Sequence, residues 1–169
     1  MRNKTLYLFL GFLVIASMIG CNLKSGSTKN LNELVYDTSR IAIIPYDSTL
    51  KYFFDSLSTE TPLTQKDLFT IDSLFAIGIA EYNSSLSENE ILVGYHKIDF
   101  SVQSYKKQLV AAITRKGERE VWINCFCSVS HPRWKTEVII VKDGGNCYLN
   151  FKINLSTKKH SSLDVNFTV

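Results

Sequence analysis

The apolar residues of this chain change period once, and that change fixes the fold class. Between residues 64 and 83 they recur at spacings of three and four: Leu68, Ile71, Phe75, Gly78, Ile79 and Tyr82. That spacing lines one face of an amphipathic helix. Pro62 precedes it, Thr64 is placed to cap it, and Asp67 follows three residues on, where a carboxylate favours a helix start. From Tyr105 onward the period is two. Tyr105–Thr114 and Arg119–Cys127 read as strands, with a two-residue turn at Lys116-Gly117 setting Arg115 opposite Glu118. Thr136–Lys142 and Cys147–Leu155 read as a second hairpin around Gly144-Gly145. Its register puts Val138 opposite Phe151, Ile140 opposite Leu149 and Glu137 opposite Lys152. Residues 161–169 add an edge strand. Upstream, residues 40–46 form a short strand stopped by Pro45. Asp47-Ser48-Thr49 then caps a brief helix with Leu50, Phe53, Phe54 and Leu57 on one side. The expected fold is α+β: an N-terminal helical segment and a long helix packed on a four- to five-stranded antiparallel meander.

The first twenty residues are of another kind. Arg2 and Lys4 precede an uncharged run from Leu6 to Gly20, then Cys21. About 15 apolar residues match a signal-peptide core, whereas a spanning helix needs about 20. Met18-Ile19-Gly20-Cys21 resembles the lipobox of bacterial lipoproteins. The resemblance implies cleavage after Gly20, lipidation of Cys21 including palmitate-type acylation, and a membrane as partner through that lipid. Residues 21–36 then read as a flexible tether, polar and containing Gly and Ser, leading to one domain over 37–169. Asn22 is not Asp, and no acidic cluster follows Cys21. By that resemblance the destination is the bacterial outer membrane, facing the periplasm. Without Arg2 and Lys4 the 19 basic residues fall to 17 against 16 acidic ones, a net charge of +1. A nearly balanced charge offers no basic surface for nucleic acid.

With helix and hairpins in place, the chain from about 64 to 155 resembles the cystatin-like fold. Ala80-Glu81-Tyr82-Asn83 is similar to the close of that family's helix. Gln108-Leu109-Val110-Ala111-Ala112 is similar to its first inhibitory loop, and Pro132-Arg133-Trp134 to its Pro-Trp hairpin. The resemblance implies protease inhibition through these two segments, although Ala112 stands where the family has glycine. The segments Trp122–Cys127 and Lys142–Leu155 also resemble small Bacteroidota lipoproteins of unknown function.

Candidate chemistry is sparse. Cys125, Cys127, His131 and Cys147 suit zinc by type. In the expected meander, however, Cys127 and Cys147 lie at opposite ends of the sheet, about seven residues or roughly 23 Å apart. Three buried thiols are the preferred reading, with a disulfide or a metal as alternatives, and no metal or cofactor is expected. The bases His96, His131 and His160 fall in loops, and no serine sits in a nucleophile elbow. A Cys127–His131 pair is the one catalytic alternative. Gly144-Gly145 lacks the helix and lysine of a phosphate loop. Asp47-Ser48-Thr49, Asp55-Ser56-Leu57 and Asp72-Ser73-Leu74 resemble the O-glycosylation sequon of Bacteroidota envelope proteins. Trp122, Phe126, Tyr148 and Trp134 form either core or an aromatic patch, so Trp122, Pro132, Arg133 and Trp134 are the candidate contacts for an unknown protein or small ligand. The expected function is a non-enzymatic envelope lipoprotein, a binding or accessory module. A cystatin-type inhibitor is the alternative.

Overall fold

The computed structural model describes residues 37, 39–89, 97–100, 104–127, 131–161 and 163–166. All belong to the compact unit Leu34–Val169. The leader, the lipobox, the tether and His96 lie outside the described residues.

One long helix, α1 (Gln65–Ser85), packs on a sheet of seven strands. These are β1 (Ile41–Ile44), β2 (Thr59–Glu60), β3 (Lys106–Ile113), β4 (Arg119–Phe126), β5 (Tyr148–Asn154), β6 (Lys159–His160) and β7 (Asp164–Val165). The sheet runs β1-β3-β4-β5-β6, with β2 also on β3 and β7 also on β5. It is mixed, because β1 lies parallel to β3 while the other pairs are antiparallel. The expected four- to five-stranded meander is therefore wrong. A parallel pair needs a long crossover, and α1 lies within the connection from β1 to β3. Nor is this the antiparallel sheet that the cystatin resemblance implies.

Helix α1 starts where its residues say it should. Thr64 Oγ1 accepts from the Asp67 amide at 3.2 Å, and the Thr64 amide donates to Asp67 Oδ2 at 2.8 Å, so both partners of a capping box are satisfied. Ile71, Phe75 and Ile79 bury against Leu109, Ile123, Phe151 and Ile153. Gly78 admits the sheet closely: a Cβ there would stand 2.6 Å from Phe151 Cε2.

The β3–β4 turn is one residue longer than expected. Ile113 faces Arg119, and the Thr114 amide donates to the Glu118 carbonyl at 2.8 Å. Three residues close the loop, with Gly117 at φ +76° supplying the left-handed position such hairpins need. Thr114, rather than Arg115, is thus opposite Glu118.

The second expected hairpin does not form. β5 pairs with β4, setting Ile123 opposite Phe151 and Cys125 opposite Leu149. Lys152 pairs with Glu120 at 3.3 Å, and Glu137 with Arg133 at 2.7 Å. Residues 136–142 instead cross the sheet face away from α1 as irregular chain. Because β4 and β5 are neighbours, Cys127 and Cys147 come together at their shared end. They form a disulfide with Cα atoms 4.9 Å apart, which replaces the expected pair of distant thiols.

Candidate functional site

The face of the sheet away from α1 has two covers, and the candidate site is the groove between them. The first cover follows β1. Asp47 caps a single 3-10 turn, Ser48–Leu50, by accepting from the Thr49 amide at 2.7 Å. The chain then drops Leu50 and Phe54 into the core and stacks Phe53 on Trp122, ring centroids 3.9 Å apart. Leu57, expected on the same inner side, points outward and is 60% exposed.

The second cover is the loop between Cys127 and Cys147. Trp134 is its anchor, edge-on to Phe126 at 5.9 Å, with Lys106 Nζ 4.9 Å above the indole. Two buried amides from the sheet fasten the loop's backbone. Gln108 Nε2 donates to the carbonyls of Trp134 and Glu137, the latter at 2.6 Å. Gln108 Oε1 accepts from the Ile139 amide at 2.9 Å and from Asn124 Nδ2 at 3.0 Å. Asn124 Nδ2 also donates to the Ile139 carbonyl at 2.6 Å. The side chains of β3 and β4 thus do for residues 134–139 what a strand ladder would otherwise do. Among the described residues no buried side-chain polar atom is left unpaired.

Between these covers lies a groove of about 480 Å³, lined by Ile44, Leu50, Tyr52, Phe53, Val138 and Ile140, with Asp47, Thr49, Thr136 and Glu137 along it. Tyr52 and Ile140 are 85% and 66% exposed. Large apolar side chains left in water on both walls of one concavity are what a docking site looks like before its ligand arrives.

The expected contacts divide. Trp122 and Trp134 are buried, so the aromatic group they form with Phe126 and Tyr148 is core, while Pro132 and Arg133 are exposed on the loop. Gln108–Ala112 is mid-strand in β3, with both end residues fully buried. Cys127 is in the disulfide and carries no thiol to partner His131, whose Nδ1 accepts from the Arg133 amide at 3.3 Å. Cys125 is fully buried, and burial pushes its thiol up to about 12, which leaves it protonated and unreactive. His160 Nε2 lies 3.4 Å from Glu81 Oε2, beside a second hollow of about 310 Å³. Among the described residues no three His, Cys, Asp or Glu side chains gather as a metal site. Ser48, Ser56 and Ser73 of the three sequon-like triplets are all exposed.

Sequence reasoning named Gln108 only within the inhibitory-loop resemblance and missed its role as a clamp, as it missed Asn124 and the groove. A signal was present for Asn124, which interrupts the apolar run Val121–Phe126 within a strand, where a polar residue needs a partner supplied by the fold. Gln108 follows Lys106 and Lys107 and reads as the polar start of its strand.

No protein family, no curated protein and no solved structure matches the chain. Among the described residues no helix is long and apolar enough to cross a membrane.

Proposed function

We propose that this chain is an envelope lipoprotein, anchored through Cys21, whose folded domain binds a partner rather than transforming a substrate. The observation that carries the binding reading is the pair Tyr52 and Ile140, both mostly exposed on opposite walls of one apolar groove. The Cys127–Cys147 disulfide supports the envelope reading, since such bonds persist in oxidising compartments. The leader and Cys21 supply the route and the anchor, and the outer membrane facing the periplasm remains the proposed destination. The protease-inhibitor reading finds no support, because a protease cleft needs an exposed backbone edge and Gln108–Ala112 is buried within β3.

The test of the anchor is metabolic labelling with palmitate. Label and membrane association should both be lost in Cys21→Ser; a labelled or membrane-bound Cys21→Ser protein would refute lipidation at that residue. The test of binding is titration with 1-anilinonaphthalene-8-sulfonate. Its fluorescence should rise on the wild-type chain and fall back in Ile140→Ser, and an unaltered titration would remove the groove as the site.

A further inference from the structure

The charges along the groove carry the argument one step further, to the chemistry of the partner; this step rests on the groove being the binding site. Among the described residues the charged groups that line it are two carboxylates, Asp47 and Glu137. Glu137 is already tied to Arg133 at 2.7 Å. Asp47 is not tied. Its Oδ1 accepts from the Thr49 amide and hydroxyl, both neutral donors, and among the described residues no cation pairs with it. Those hydrogen bonds hold its carboxyl below the usual carboxylate range, so it is an anion at neutral pH. Tyr52 lines the same wall, with the chain's own Lys51 Nζ 5.7 Å from its ring centroid.

The shape narrows the partner further. A pocket for a small ligand encloses most of that ligand's surface. Here the exposed apolar side chains Tyr52 and Ile140 stand on the two walls, so an occupant lying between them stays partly in water. A trough accepts an extended chain that lays down a few side chains and leaves the rest in water. We infer that the groove takes an extended polypeptide segment in which apolar side chains are followed by a lysine or arginine, the apolar groups lying between Tyr52 and Ile140 and the cation on Asp47.

Two fluorescein-labelled peptides test this, one ending Leu-Ile-Leu-Lys-amide and the other Leu-Ile-Leu-Glu-amide. Their anisotropy is followed against the full chain in phosphatidylcholine nanodiscs, with empty discs as blank. Both should bind, the lysine peptide about three- to fivefold tighter, the range an exposed ion pair supplies. Asp47→Asn keeps a competent cap residue and should make the two affinities equal. Ile140→Ser alters an exposed side chain and should weaken both. Equal affinities for the wild-type chain, or a lysine preference that survives Asp47→Asn, would overturn the charge assignment and leave the groove standing. No saturable binding of either peptide, or binding indifferent to Ile140→Ser, would overturn the groove itself.

Discussion

On the α1 face of the sheet the contacts are apolar side chain against apolar side chain, Ile71, Phe75 and Ile79 on Leu109, Ile123, Phe151 and Ile153. On the opposite face the loop at residues 134–139 packs Trp134, Val138 and Ile139 on the sheet, but its backbone is held by the side chains of Gln108 and Asn124. The two solutions respond differently to change. Area burial is spread over many atoms, so a lost side chain is felt as a cavity in proportion to its volume. A polar clamp is concentrated, and removing one amide strands several backbone groups together.

The largest effect expected is on the α1 face. Phe151 is 1% exposed and meets Phe75 edge-on at 5.8 Å. Phe151→Ala should lower unfolding free energy by about 3–5 kcal/mol, read as a fall in the midpoint of a urea titration at unchanged slope. A loss under about 1 kcal/mol would mean that α1 settles into the vacancy and that this face is less tightly packed than its contacts imply.

Gln108→Leu comes next, at about 3 kcal/mol, because four hydrogen bonds go and leucine replaces none of them. The loop has an escape that the helix lacks. It can lift off and hydrate its backbone while Cys127–Cys147 still holds its ends. Amide hydrogen exchange at Ile139 should therefore rise far more than at Ile123, whose N–H lies in the sheet. Equal acceleration at both residues would show the two faces unfolding as one unit and erase the contrast.

What the sequence made legible follows the same divide. The α1 face could be read because it is built from periodicity. Spacings of three and four predicted a helix over 64–83, against Gln65–Ser85 observed, and Thr64 and Asp67 marked its start. Alternation found β3, β4 and β5 to within a residue or two. Partner choice was not periodic and was misread. Val138 and Ile140 alternate like a strand, yet the backbone between them bonds to side-chain amides. Nothing local distinguishes a ladder from a clamp. Placing that false strand between β4 and β5 then separated Cys127 from Cys147. The parallel β1 was equally hidden, since strand direction is set by the path of the connection rather than by the four residues Ile41–Ile44.

A smaller effect concerns the start of α1 and depends on pH. Burial alone would raise the Asp67 carboxyl. Hydrogen bonds from Arg119 at 2.9 and 3.0 Å and from Thr64 outweigh burial and bring it down to about 2 from an ordinary 3.8. A carboxylate depressed in the folded state adds stability above its unfolded value and gives it up as pH falls toward the folded one. About 1–2 kcal/mol should accordingly disappear between roughly pH 5 and pH 2. Asp67→Asn should be less stable at pH 7 and show a flatter profile across that window. Parallel profiles for the two proteins would mean that the Arg119–Asp67 pair is not what acid breaks.

The smallest effect has a sign set by two opposed terms. In an isolated helix Gly78→Ala would be favourable by about 1 kcal/mol, because alanine loses less backbone freedom. In this helix the new methyl would stand 2.6 Å from Phe151 Cε2, inside the core rather than beside a flexible surface group. Overpacking of that kind costs about 1–3 kcal/mol. The net expectation is a loss of about 1 kcal/mol, which Phe151→Leu in the same chain should partly recover by withdrawing the ring edge. A stabilised Gly78→Ala protein would place α1 farther from β5 than the packing requires. The α1 face would then be the looser of the two, and the polar clamp under the groove the more rigid part of the domain.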